Sequence, residues 1–558
     1  MIDINSLFAS IDNNKIDEIC NYLKILDDDI EQITDFTRPL LNGKRGSYYE
    51  LVGDAHLSSQ SKDPKDVLKS LSSFFSRAIR WQHPGVFINV IPPANIPSIA
   101  AATYASLYNA NVAQDENSGY LSATELIVVK HMATLANWDW KQASGLFTFG
   151  GKGTCLYGIK AALNAISPTA RNTGVHGQDY FVLTNEKAHP CHPEVCDWLG
   201  IGIDNCIKLP VEENGQVSLR AMREEIDKNL QAGRKLVCIM LNGGNTNEII
   251  IDPIDKVSAL RDEMVEKYKL DYVPHIHVDA VIGWAWLFYK TYNFSENPLS
   301  MSAQEIEKIS SMRAKILQLE LADSYGADFH KTGFCPYTSS LFMIKDGRKL
   351  YNLGNKKKPD PEHLCQGSYS PFEYSLELTR SASGPISAYV ALETFGVEGY
   401  QKLIYNVFSN GEYIRSVLEA NHDFDVINLE TEGFATLFIA KPPGFTATFK
   451  ELIKMDAATI SKLVDYNDRF YLFTLEALES GAAEFKITFS KSYKPFGCAS
   501  KTGALKIYQM SPIATKTDIA RYLDQLVKLK ENFDAHAGLS DTVTDSSYRQ
   551  VDFIYRQT

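Results

Sequence analysis

No stretch of this sequence approaches the roughly 18 apolar residues that a bilayer-spanning helix needs, so no helical membrane span is expected. The beginning, Met1-Ile2-Asp3-Ile4-Asn5, runs into acidic residues and lacks the charged-then-apolar order of a secretory signal. Nine cysteines, at positions 20, 155, 191, 196, 206, 238, 335, 365 and 498, form no regular framework, and their odd number leaves at least one unpaired within the chain. Together these absences point to a reduced, cytoplasmic protein. Basic excess is missing too: 56 Lys and Arg stand against 68 Asp and Glu, a net charge of −12, which argues against a nucleic-acid partner. The only dense basic run, Lys356-Lys357-Lys358, precedes Pro359 and reads as a solvated loop. There is no internal repeat and no low-complexity linker.

What is there suits a large soluble enzyme. With 558 residues, 44% hydrophobic and 22% charged, the chain can bury a sizeable core, and its length predicts about two to four domains. Residues 1–95 read as a mainly helical segment, with Ile16, Ile19, Leu23 and Leu26 at helical spacing and a second helical run from Val67 to Ala78. They are too few for an obvious core of their own. Residues 96–385 read as a large α/β domain: short apolar runs at Tyr180–Leu183, Cys206–Leu209, Leu236–Leu241, His275–Ala280 and Ser340–Ile344 alternate with amphipathic segments such as Val217–Leu230 and Ile254–Tyr268. That alternation predicts crossovers and a mostly parallel sheet. Residues 386–558, with helical Tyr389–Asn410, mixed strands and a closing helix from Thr517 to Asn532, read as a smaller α+β domain.

Three places carry chemistry. Asp279 closes the apolar strand His277-Val278-Asp279-Ala280, and Lys331 follows another apolar stretch in Ala327-Asp328-Phe329-His330-Lys331-Thr332-Gly333. A strand-end aspartate and a lysine so placed are the two groups needed to hold pyridoxal 5'-phosphate. Lys331 would form the Schiff base, and Asp279 would keep the pyridine nitrogen protonated so that the ring accepts electrons from the substrate α-carbon. Phe149-Gly150-Gly151-Lys152-Gly153-Thr154 opens a helical run from Cys155 to Ala165, and backbone N–H groups at a helix start suit a dianionic phosphate, with Thr154 offering a hydroxyl and Lys152 a charge. His189 follows a strand and could stack on a flat cofactor. Its neighbours Cys191, His192 and Cys196 invite a metal-binding reading, but zinc needs four tetrahedral ligands and the paired Cys-x-x-Cys knuckle is missing, so no metal is expected.

In order along the chain, from about His83-Pro84 to about residue 530, these residues resemble the group II pyridoxal-phosphate-dependent amino-acid decarboxylases. The resemblance runs through Gly150-Gly151, His189, Gly200, Asn245-Thr246, Ile251-Asp252-Pro253-Ile254, His277-Val278-Asp279-Ala280, Asp323-Ser324 and His330-Lys331. It is strongest toward the bacterial tyrosine-decarboxylase branch in Gly200-Ile201-Gly202-Ile203-Asp204 and in His330-Lys331-Thr332-Gly333-Phe334-Cys335-Pro336-Tyr337. It implies the aspartate-aminotransferase-like fold type I, a homodimer with active sites shared between subunits, and a lyase that releases carbon dioxide and an amine from an L-amino acid. An aromatic, tyrosine-like substrate is favoured; glutamate, aspartate and 2,4-diaminobutyrate stay open, as does a related lyase or aminotransferase on the same cofactor.

Carried over by position, the resemblance implies that Lys331 is the cofactor lysine, Asp279 the pyridine-nitrogen partner and His189 the stacking residue. Gly153 and Thr154 become phosphate contacts, Thr246 a residue near the ring, His330 a further cofactor contact, and Ser381 a reach to the neighbouring subunit's phosphate. Tyr351 is the nearest tyrosine for returning a proton to the α-carbon. Departures are Lys152 where the family has Ser or Thr, Pro190-Cys191 after the stacking histidine, and Lys506 in Ala504-Leu505-Lys506-Ile507 where glutamate-specific members carry an arginine. The segment Tyr289–Gln318 is expected to be a mainly helical insertion.

Overall fold

The computed structural model describes residues 4–44, 46–53, 55–177, 179–498 and 500–537; the expectations for Met1–Asp3 and for 538–558 lie outside them. Seven strands, β1 (Ser144–Thr148), β2 (Tyr180–Asn185), β3 (Cys206–Leu209), β4 (Lys235–Asn242), β5 (His275–Asp279), β6 (Ser324–Asp328) and β7 (Ser340–Ile344), form one sheet in the order β1-β7-β6-β5-β4-β2-β3. Neighbours from β6 through β3 pair in parallel, whereas β7 runs against both β6 and β1. The chain is α/β with a mostly parallel sheet. Every residue of β5, β6 and β7 is buried, as expected of strands covered on both faces by helices.

Alternation along β5 sets up the site. Its period of two puts Ile276 and Val278 on one face and His275, His277 and Asp279 on the other. On the polar face, the Ser324 hydroxyl of β6 meets His275 Nε2 at 2.7 Å and His277 Nδ1 at 2.8 Å, and burial pushes the two imidazoles down to about 4 and about 3, so both are neutral. The helix Gly151–Ile166 lies on this face, and it approaches so closely at Gly158 that a Cβ there would stand 2.5 Å from His277 Nδ1. The polar stripe therefore ends, at the carboxyl edge of the sheet, in the carboxylate of Asp279. Such an edge is where open α/β sheets place their ligands.

Strand β1 escapes a periodicity reading because it is short, contains Gly145 and runs straight into the glycine loop. Tertiary contacts hold it. Buried Glu125 accepts from the Phe147 N–H at 2.7 Å, from Tyr369 Oη at 2.8 Å and from the Arg380 guanidinium, which also donates to the Phe147 carbonyl at 3.0 Å. This buried, multiply hydrogen-bonded pair fixes where β1 ends and the loop begins.

A second sheet, β8 (Phe424–Val426), β9 (Thr436–Ala440), β10 (Thr488–Ser490) and β11 (Ala504–Ile507), is wholly antiparallel in the order β10-β11-β9-β8. The helices Ser383–Ala420, Ala457–Ser480 and Lys516–Ala537 accompany it. The insertion is helical as expected, with 3-10 turns at Gly283–Thr291 and Leu317–Leu321 around an α-helix at Ala303–Ile316. Among the described N-terminal residues, the helices Ile16–Gln32, Tyr48–Gly53 and Pro64–Leu71 bury no residue at all.

Candidate active site

Asp279 is buried at the end of β5, and its Oδ2 accepts from His192 Nε2 at 3.2 Å, while His192 Nδ1 meets Thr184 Oγ1 of β2 at 2.7 Å. Burial disfavours charge on both partners. The hydrogen bond between them and the nearby Cys191 outweigh that cost at His192, raising it to about 9, and the neighbouring cations hold Asp279 well below the usual carboxylate range. The pair is an imidazolium and a carboxylate. Asp279 Oδ1 is buried and has no hydrogen-bond partner among the described residues, although such an oxygen is costly to leave unpaired. A protonated pyridine nitrogen is the donor that would satisfy it.

Lys331 follows β6 on a turn pinned by Thr332 Oγ1, which donates to the Ile282 carbonyl at 2.9 Å. Its half-buried ammonium lies 3.1 Å from Asp328 Oδ2. Burial would discharge the lysine, but Asp328 and then Asp279 outweigh it and raise its pKa. Asp328, 1% exposed, also accepts from Ser340 Oγ at 2.6 Å and has His330 Nε2 at 3.5 Å from Oδ2. This carboxylate was not singled out in the sequence, although its place three residues before Lys331 is the available signal. His330 is buried, its Nδ1 is 3.1 Å from the Ser339 carbonyl, and burial lowers its pKa.

The helix starting at Gly151 begins directly over Asp328: a Cβ at Gly151 would come within 2.9 Å of Asp328 Oδ2. Its first-turn amides lack intrahelical acceptors by geometry, apart from Gly153 N–H, which reaches the Gly150 carbonyl at 2.8 Å. Thr154 is buried and its hydroxyl donates to the Gly151 carbonyl at 2.7 Å. The Lys152 ammonium pairs with Glu194 and lies 5.1 Å over the Trp198 ring.

His189 is exposed, and its Nδ1 accepts from the Cys191 N–H at 3.2 Å, which fixes the ring at the rim of the same sheet edge. Asp252 joins the ends of β2 and β4 by accepting from Asn185 Nδ2 at 3.0 Å and from the Asn242 N–H at 2.8 Å. Beyond β4, the half-buried Thr246 accepts from Tyr508 Oη at 3.0 Å through its carbonyl, and Lys506 Nζ is 3.3 Å from Asn247 Oδ1. Buried Glu248 accepts there from Asn245 Nδ2 at 2.6 Å and Tyr493 Oη at 2.8 Å. Burial lowers Lys506 to about 8, against the pull of Glu248.

Two expected residues lie elsewhere. Ser381 is exposed and touches Ser383, with a bridge to Asn111. The Tyr351 ring packs tilted against that of Tyr374, centroids 4.3 Å apart, and lines a 240 Å³ cavity with Ser144 and Gly145, at the end of β1 remote from the glycine loop, so it is not the tyrosine beside Lys331 in this chain. That position falls to Tyr337, whose ring centroid is 4.3 Å from that of His330. The suspected cysteine-histidine cluster is divided: Cys196 contacts Cys206, while donor atoms of Cys155, Cys191, His192 and Asp279 gather within 4.8 Å of one another. The latter four are engaged as a thiol pair and an ion pair.

Comparison with known proteins agrees with this geometry. The L-2,4-diaminobutyrate decarboxylase of Acinetobacter baumannii is 21% identical over 512 residues, 88% of each chain. The acidic amino acid decarboxylase GADL1 of Xenopus tropicalis is 20% identical over 431 residues, covering 76% of this chain and 78% of that one. Two solved structures share the fold: mouse CSAD, with TM-score 0.74 at 16% identity over 92% of this chain and 99% of that one, and Oryza sativa TDC with PLP and tryptamine, with TM-score 0.72 at 14% identity over 93% and 98%. The pyridoxal-dependent decarboxylase conserved domain matches residues 52–441. The free Asp279 oxygen, Lys331 and the glycine-opened helix thus stand at one edge of a fold-type-I sheet, and the chain belongs to the pyridoxal-dependent decarboxylases, carboxy-lyases that use pyridoxal phosphate on amino acids.

Proposed function

We propose that this decarboxylase acts on an L-amino acid with an acidic side chain, and that Lys331, Asp279 and His189 carry the reaction. Bound pyridoxal phosphate supplies a conjugated ring that takes up the electron pair of the breaking Cα–carboxylate bond. Lys331 Nζ would be the amine that holds the cofactor covalently. Asp279 Oδ1 would keep the pyridine nitrogen protonated, and His189 would stack on the ring. Backbone amides of the turn from Gly151 through Lys152, Gly153 and Thr154 receive the phosphate, with Thr246 and His330 near the ring and Ser381 reaching the partner subunit's site.

Lys506 carries the substrate reading. It is a buried amine with a single polar contact, beside the turn that follows Thr246. An aromatic side chain would need an apolar slot, whereas the groups gathered here are Lys506, Glu248, Asn245, Asn247, Tyr493 and Tyr508. On a panel of amino acids, Lys506→Met is expected to lower kcat/KM for aspartate or glutamate about a hundredfold, roughly 2.7 kcal/mol, and to leave poor aromatic substrates unchanged. A best substrate that is aromatic, with less than about a tenfold effect of Lys506→Met, would restore the tyrosine-like expectation. Glu248, a buried carboxylate in the same group, favours a second reading, a diamino acid such as the 2,4-diaminobutyrate named for the Acinetobacter relative. Release of carbon dioxide from that compound alone would decide for it.

The active unit is a homodimer in this reading. Its support is the large apolar side chains left bare near the N-terminus, among them Phe8, Ile11, Tyr48, Tyr49, Val52 and Phe74, each at least 67% exposed. Light scattering should give twice the 62.4 kDa chain mass, and a monomeric active enzyme would refute it. The cysteines at all nine positions are free thiols, the state that a reducing cytoplasm maintains.

A further inference from the structure

We infer that Asp328 is a positioning residue that parks Lys331 as an ammonium and sets the pH at which this lysine becomes a nucleophile. The inference rests on Lys331 being the attachment lysine. Three titratable side chains, Asp279, Tyr337 and His330, bear on the Lys331–Asp328 pair. Asp328 Oδ2 is 3.1 Å from Nζ, Asp279 and Tyr337 act on the lysine through space, and His330 Nε2 stands 3.5 Å from Asp328 Oδ2 on its far side. Ser340 occupies only Oδ1, at 2.6 Å, so Oδ2 is left to face the lysine.

An ammonium has no lone pair. To attack an aldehyde carbon, Lys331 must first lose a proton from Nζ to solvent, a loss that the ion pair with Asp328 opposes. The nitrogen keeps the electron pair and uses it to form the new C–N bond while the aldehyde C=O bond breaks, its oxygen leaving as water with one proton from Nζ and one from solvent. When a substrate amine displaces the lysine, its own C–N bond forms as that of Nζ breaks, the proton given up by the substrate ammonium goes to Nζ, and the ion pair with Asp328 reforms. A lysine so held cannot compete with the substrate for the cofactor. The alternative is a purely structural carboxylate that bolts β6 to β7 through Ser340, and it predicts no change in the titration of Lys331.

The test follows the visible absorbance that pyridoxal phosphate gains on attaching to the apoenzyme, as a rate against pH. For Asp328→Asn the midpoint should fall by at least about one pH unit, giving about tenfold faster attachment at neutral pH, because the fraction of free amine rises tenfold per unit. Asp328→Glu, which keeps the charge, should restore a profile near that of the wild type. Superimposable profiles for Asp328→Asn and wild type would overturn the inference. If Asp328→Asn does not fold, peptide-mapped reductive methylation of Lys331 in the wild-type apoenzyme takes its place. The expected midpoint lies above that of exposed lysines, and a midpoint below them overturns the inference. Lys331→Ala separates the two readings: absorbance that persists in this variant removes Lys331 as the attachment site, whatever Asp328 does.

Discussion

Lys331→Ala protein is expected to lose turnover by at least about ten-thousandfold, roughly 5.5 kcal/mol of transition-state stabilisation, while still taking up pyridoxal phosphate without a covalent bond. The loss follows from chemistry and position together. Lys331 carries the amine nearest to both Asp279 and Asp328, and no neighbouring side chain on its turn offers another primary amine. Retention of the cofactor follows from groups the substitution leaves alone: the amides opening Gly151–Ile166 and the unpartnered Asp279 Oδ1. Borohydride reduction of the wild-type holoenzyme, followed by peptide mapping, should label Lys331. A label on another lysine would sink the assignment.

Asp279→Asn should keep the fold and lower kcat by about a thousandfold, roughly 4 kcal/mol. An amide can accept from a pyridinium N–H, but it has no charge with which to keep that nitrogen protonated. The substitution also strips buried His192 of its counter-charge, which leaves burial opposed only by Cys191 and Cys206 and so lowers the imidazole's pKa. This gives a signature in stability as well as in rate. Folding raises His192 from an ordinary 6.5 to about 9, so the pair's contribution is complete below about 6.5 and is lost as pH rises through about 9. Asp279 is depressed, so its share is lost only in acid, below the ordinary carboxylate range. The wild-type Tm should therefore decline between pH 6.5 and 9 more steeply than that of Asp279→Asn. Near-normal turnover, or parallel Tm profiles, would contradict the role given to this carboxylate.

The strands at Cys206–Leu209 and Ser340–Ile344 and the helix at Ile254–Tyr268 were legible residue for residue, because short apolar strands and amphipathic helices write their patterns into local sequence. Strand β1 was not, since its place depends on Glu125 and Arg380, which meet it from distant parts of the chain. Of the candidate site, Asp279, Lys331 and the glycine-opened helix could be named from the sequence because each has a chemical identity tied to a nearby strand end or helix start. Three other relationships could not. Lys152 looks like a phosphate ligand until Glu194 and Trp198 take its ammonium; Tyr351 looks like a proton donor until it is found on Tyr374. Asp328 looks like any strand-end acid until the turn after β6 brings Lys331 Nζ to 3.1 Å.

By itself, then, the sequence determined the fold class and the cofactor chemistry and singled out Asp279 and Lys331 as candidates, because these follow from residue type and local period. Only the tertiary structure decided which charges face one another: His192 with Asp279, Lys331 with Asp328, and Lys506 with the turn carrying Asn247. Charge pairing acts over a few ångströms of space and is blind to separation along the chain. No local pattern records it.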